Sequence, residues 1–146
     1  MKKSKLIIIS VAMAIMTAIA LFQAISLLFR VVDKAVVLSS RDASLRVYTG
    51  NDHSSSLMVA GLRKNTRVVN EEGKRISITD IQPGQLVEIT HEGLIFLSYP
   101  GQYGEIYQIK VVGQADEAFY SLGKEREAEF QRFGNRMLEQ VPSSNP

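Results

Sequence analysis

Three patterns of apolar and polar positions follow one another along the chain. Residues Leu6 to Phe29, "LIIISVAMAIMTAIALFQAISLLF", form an unbroken uncharged block of 24. From Val31 to Gly113 short apolar runs alternate with polar positions and are cut by turn residues. From Ala115 the apolar residues recur at three- and four-residue spacings. The three patterns predict an apolar helix, a set of short strands and an amphipathic helix.

As a helix rising ~1.5 Å per residue, the first block spans roughly 36 Å, more than a ~30 Å hydrocarbon core. Lys2, Lys3 and Lys5 precede it, and the positive-inside tendency assigns them to the cytoplasm. The sequence thus reads as a cytoplasmic tail (1–5), a transmembrane anchor (6–29) and a juxtamembrane linker (30–34), with everything beyond outside the membrane. "AIA" (Ala18 to Ala20) also fits a signal-peptidase site. The apolar run continues nine residues past it to Phe29, which favours an uncleaved anchor.

In the middle region "KAVVLSS" and "ASLRVYTG" flank Arg41-Asp42, and each alternates with period two. "LMVAG", "TRVVN", "RISIT", "QLVEITH", "LIFLSY" and "EIYQIKVVG" continue the series, separated by "NDHSSS", "EEGK", "DIQPGQ", "HEGL" and "YPGQYG". Regular spacing of short strands predicts a small antiparallel OB-like β-barrel over residues 35–113, so the chain is mainly β. The last segment (114–141) places Phe119, Leu122, Phe130, Phe133, Met137 and Val141 on a helical stripe, with Glu127, Arg132 and Arg136 off it. Gly123 is expected to divide this segment into two helices. Asp116 and Glu117 suit its start, and residues 142–146 read as a disordered tail.

Composition narrows the chemistry. Seventeen Lys and Arg against fifteen Asp and Glu give +2, three of the lysines lie in the N-terminal tail, and there is no cysteine. Thiol catalysis, disulfides and thiolate metal sites are excluded, and the near-neutral outer part is not a nucleic-acid binder. His53 and His91 read as separate surface-turn histidines without carboxylates at ligand spacing. "SLGK" (Ser121 to Lys124) fits S-x-x-K, but its partner motifs are absent and the chain is too short for that fold. No cofactor is expected, no catalytic residue and no metal ligand is assigned, and the protein reads as not an enzyme.

Two candidate binding groups remain. Arg63, Lys64, Arg67, Lys74 and Arg75 cluster within "GLRKNTRVVNEEGKR", diluted by Glu71 and Glu72. The corner "SYPGQYG" supplies Tyr99, Gln102 and Tyr103. Pro100 lacks an N–H and ends the preceding strand, and Gly101 is expected to take positive φ in a tight turn. Tyrosines there bury rings while keeping hydroxyls wet.

The run "IQPGQLVEIT", the corner "SYPGQ" and the strand "IYQIKVV" resemble the YobA-like domain-of-unknown-function family. The likeness covers roughly residues 66–113. It implies a small extracytoplasmic OB-like barrel from a Gram-positive bacterium and supplies no activity. Unlike the lipoprotein members, this chain has no cysteine and carries an added C-terminal helix.

The sequence therefore leads to a single-pass protein of the cell membrane, cytoplasmic at its N-terminus. It presents an extracytoplasmic, non-catalytic binding or assembly module, with an envelope protein as a partner for the C-terminal helix. The alternative is a polyanion or wall-glycan sensor using the basic hairpin and the tyrosine corner.

Overall fold

A computed structural model describes residues 2–28, 30–50 and 57–139, and within its helices the side chains of residues 8–22 and 117–136. The chain divides into two compact units, Met1–Arg30 and Val31–Pro146. The first is helix α1, Lys2–Leu28. Its described side chains are all exposed, and they are apolar or small in every direction. Among the described residues no helix is long and apolar enough to cross a membrane. The flanks of the expected anchor, at residues 6–7 and 23–29, lie outside the described side chains, as do the "NDHSSS" loop with His53 and the expected disordered tail 142–146.

The second unit is mainly β. Its strands are β1 (Val31–Arg41), β2 (Ser44–Tyr48), β3 (Leu57–Gly61), β4 (Arg67–Val69), β5 (Gln85–His91), β6 (Ile95–Phe96), β7 (Gly101–Tyr103) and β8 (Ile106–Gln114). They form one sheet in the order β4-β8-β5-β1-β2-β3-β7-β6. The sheet is mixed rather than antiparallel, because β3 runs parallel to β7 and β4 parallel to β8. Both pairs join strands far apart in sequence, where no hairpin dictates direction. Only Gly104 and Glu105 separate β7 from β8. One nearly continuous segment thus pairs with β3 at its start and β5 further on, joining the two arms of the sheet.

β1 holds this together. Val31 to Val36 pair with β5, and Val36 to Arg41 pair with β2. Its centre, Ala35 to Leu38, is buried on both faces instead of alternating. Ala35 and Val37 join the inner core with Leu45, Val47, Met58, Val87, Ile89, Ile106 and Ile109. Val36 and Leu38 join Tyr48 and Leu57 in a second cluster, packed on Phe119, Tyr120 and Phe130. Those three belong to helix α2, Glu117–Glu139. A strand covered by core on one side and helix on the other reads as a continuous apolar run.

α2 is one helix, started by the Asp116 carboxylate, which accepts the Phe119 N–H at 2.8 Å. Gly123 does not break it. A Cβ there would come 2.8 Å from Leu38 Cδ2 and 3.0 Å from Tyr48 Cβ, so the glycine permits close packing. Of the expected stripe, Phe119 and Phe130 are half-buried and pack on the sheet with Gly123 and Glu127 between them, whereas Leu122 and Phe133 are exposed; Glu127, expected off the stripe, is 6% exposed.

Other expectations are corrected too. The linker residues 31–34 belong to β1. "RISIT" is not a strand. Ser77 and Asp80 form a capping box that winds Ile78–Asp80 into a 3-10 turn. "LIFLSY" keeps only the two-residue β6. In β8 the inward residues are Ile106, Ile109 and Val111. The register slips between Thr90↔Gln108 and His91↔Ile106, leaving Tyr107 as the extra residue of a bulge.

Candidate functional site

The segment 92–105 folds back on itself as a hairpin at the edge of the sheet, the tip, in which β7 pairs with β3 and β6 with β7. Gly93, at φ 87°, turns the chain out of β5. Ile95 pairs with Tyr103 and Phe96 with Gln102. The Gly104 N–H donates to the Leu94 carbonyl at 2.9 Å, and the Ser98 N–H to that of Phe96 at 2.9 Å. The Tyr99–Pro100 peptide is cis, and the Ser98 hydroxyl donates to the Pro100 carbonyl at 2.7 Å. Gly101 is a buried strand residue and is not among the positive-φ glycines, contrary to expectation. The tip is well tied, yet its side chains are bare: Leu94, Ile95, Phe96 and Tyr99 are exposed, and Leu97 is 89% exposed.

Beneath the tip lies a buried polar group. His91 is 1% exposed, not the expected surface-turn histidine. Its Nδ1 accepts the Gly93 N–H at 3.1 Å, so the ring proton of the neutral imidazole sits on Nε2, 3.2 Å from Asp33 Oδ2. The same oxygen accepts the Tyr103 hydroxyl at 3.2 Å. The two rings meet edge-on with centroids 4.7 Å apart. Burial, then the charge of Asp33 and its hydrogen bond, push the Tyr103 hydroxyl far above its usual range. It is a fixed donor, and the group pins β1, β5 and β7 at the neck of the tip. Among the described residues no cluster of three or more His, Asp or Glu could hold a metal.

On its outer side the tip faces α2. Tyr99 packs edge-on against Phe130, centroids 5.1 Å apart. Tyr99, Glu129, Arg132, Phe133 and Arg136 line an open cleft of about 420 Å³. Glu129 is held by Arg126 at 3.0 Å. Arg132 and Arg136 have no carboxylate partner among the described residues. Deeper in the joint, Glu127 accepts from Arg46 at 3.1 Å and from Lys124 at 3.0 Å. Burial pushes the Glu127 carboxyl up, but these bonds and charges outweigh it and hold it below its usual value.

The two sequence-derived groups lie in different settings. Arg63, Lys64, Arg67, Lys74 and Arg75 are all exposed around β4 and its turn. Lys74 is paired with Glu72 at 3.2 Å, and the neighbouring depression carries Glu71, Glu72 and Asp80. β4 and the β7–β6 corner stand at opposite ends of the strand order. Within the corner, Tyr99 and Gln102 are exposed, whereas Tyr103 is buried with its hydroxyl on Asp33 rather than in water. His91 was detectable: Val87, Ile89 and His91 share one parity, the inward face of β5. Asp33 and Tyr103 carry no such local signal. No family model, curated protein or solved structure matches the chain.

Proposed function

We propose that this chain is a membrane-anchored, non-catalytic binding or assembly module of the bacterial envelope, with its β unit outside the cytoplasm. One observation carries the reading. The described part of α1, residues 8–22, is exposed and has no charged residue on any side. A helix apolar all round calls for a low-polarity surround. The uncharged sequence on either side extends that block to Leu6–Phe29. The OB-like barrel and YobA-like kinship belong to the same proposal. They are supported by the two arms of the sheet meeting through β7 and β8 and by the SYPGQ corner. The non-catalytic reading is supported by Tyr103 being held protonated within the sheet rather than offered to a substrate.

A polyanion or wall-glycan sensor built jointly on the basic hairpin and the tyrosine corner has less support, since Tyr103 is interior and the basic residues are diluted by Glu71, Glu72 and Asp80. The test of the main reading is alkaline carbonate extraction of membranes, followed by protease added to intact protoplasts. The full chain is expected to stay with the membranes, and protease to remove everything beyond Phe29. Release by carbonate, or a mature protein beginning near Leu21, overturns it.

A further inference from the structure

The exposed tip is fixed by hydrogen bonds of its own backbone and of the Ser98 hydroxyl. Single exposed leucines are ordinary, but a run of four large exposed apolar side chains, Leu94 to Leu97, on a fixed edge hairpin is not. Val31 and Val32 at the start of β1 are exposed as well. Val31 pairs with His91, and its Cγ2 lies 3.3 Å from where a Cβ on Gly93 would stand. Val31, where the β unit begins, thus stands beside the turn from which the tip starts. In sequence, Val31 is three residues beyond Leu28, the last residue of α1.

Charge narrows the occupant. Tyr99 continues the patch into the cleft, where Phe133 lies between Arg132 and Arg136. Residues 130–136, "FQRFGNR", contain no acidic residue. Of the carboxylates nearby, Glu129 is paired with Arg126 and Glu92 accepts the Glu105 N–H at 2.8 Å, while Glu105 is half-buried at the base of the tip. Apolar side chains at a tip, aromatic rings behind them and guanidinium groups without a carboxylate partner among the described residues match the depth profile of a bilayer interface. Acyl chains meet the leucines, the glycerol level meets the aromatics, and phosphates meet the arginines.

We propose that Leu94 to Leu97, with Tyr99, Arg132 and Arg136, seat the β unit on an anionic lipid surface. This rests on the anchored reading above, and the experiment separates the two. Because the chain has no cysteine, Leu97→Cys gives a single labelling site. The full chain carrying an environment-sensitive fluorophore there is reconstituted into vesicles with or without phosphatidylglycerol, beside a Lys64→Cys control. Nitroxide-bearing lipids are expected to quench the label at 97 in the anionic vesicles and to spare the one at 64. The pair Arg132→Gln and Arg136→Gln is expected to lower the ratio of lipid-contacting to water-exposed tip about 25-fold, each arginine near a membrane contributing about fivefold.

A chain retained through carbonate whose label at 97 is quenched only by aqueous iodide overturns the seat and leaves the anchor standing. Release by carbonate together with a water-exposed label overturns both. Quenching of 97 after the anchor fails extraction supports the seat by itself. Disulfide-linked dimers of unlabelled Leu97→Cys in place of lipid contact overturn it in favour of a second copy.

Discussion

Arg46 Nη1 lies 3.1 Å from Glu127 Oε1, so an arginine of β2 meets a carboxylate that α2 has carried into its buried face. The same guanidinium stands 6.0 Å from the centre of the Phe130 ring. An acidic residue in the middle of a docking face fixes the helix in one register, since a slip by one turn strands the charge.

Glu127→Gln is expected to lower stability by about 1–2 kcal/mol at neutral pH, through loss of two charge-assisted hydrogen bonds. The folded carboxyl titrates below its unfolded value of about 4.3. Its contribution is therefore full above that pH and is lost as pH falls through the lower, folded value. Thermal melts of both proteins should differ at pH 7 and converge in acid. A difference independent of pH refutes the ionic role.

Gly123 and Gly134 make a contrasting pair on one helix. A methyl at Gly123 collides with Leu38 and Tyr48, whereas at Gly134 it meets nothing within 4 Å. Both substitutions gain about 1 kcal/mol of helix propensity. Overpacking by about 1–3 kcal/mol reverses that gain at Gly123. Denaturant unfolding should show Gly123→Ala less stable than the parent and Gly134→Ala more stable.

Tyr103 predicts alkaline behaviour. Its hydroxyl is raised above the ordinary value of about 10 by burial and by Asp33. Above pH 10 the unfolded chain releases that proton and the folded chain keeps it, so stability falls as pH rises. Tyr103→Phe should be less stable than the parent at pH 7, by about 1 kcal/mol for the lost bond to Asp33. The gap should close between pH 10 and 11.5. Parallel curves across that range would show that Tyr103 ionises freely in the fold.

Thr66 is buried between two loops, where its hydroxyl donates to the Ile106 carbonyl at 2.9 Å and accepts the Arg63 N–H at 3.0 Å. Thr66→Val keeps the shape and leaves both groups unpaired, which costs about 1–3 kcal/mol. Hydrogen exchange should quicken at the Arg63 amide in this variant. Unchanged protection there refutes the assigned bond.

Much of the sheet was legible because burial on one side imprints a period of two. β2, β5 and the turns at Gly73, Gly84 and Gly93 stand where the sequence puts them. The misreadings have separate causes. In "RISIT" the Ser77–Asp80 box is a local competitor that alternation does not reveal. In "LIFLSY" the apolar content is real, but pattern says nothing of whether an apolar strand is covered. Gly123 reads as a helix breaker until its neighbours across space, Leu38 and Tyr48, are known. The Asp33–His91–Tyr103 group joins residues 58 and 70 positions apart, a separation at which one sequence holds no trace of contact.

The double pairing of β1 also sets the order in which the unit can assemble. Its C-terminal half finds β2 almost at once, since Arg41↔Ser44 is a hairpin contact. Its N-terminal half waits for β5, as in Val31↔His91, and β5 in turn waits for β8. Such distant pairings close loops at high entropic cost and fold slowly. As the chain emerges N-terminus first, the β1–β3 meander forms early with half of β1 unpaired. The face of Val36 and Leu38 stays bare until α2, made after all eight strands, arrives to cover it. Until then the nascent domain exposes an open strand edge and an apolar face together, which is the interval in which it is most prone to aggregate.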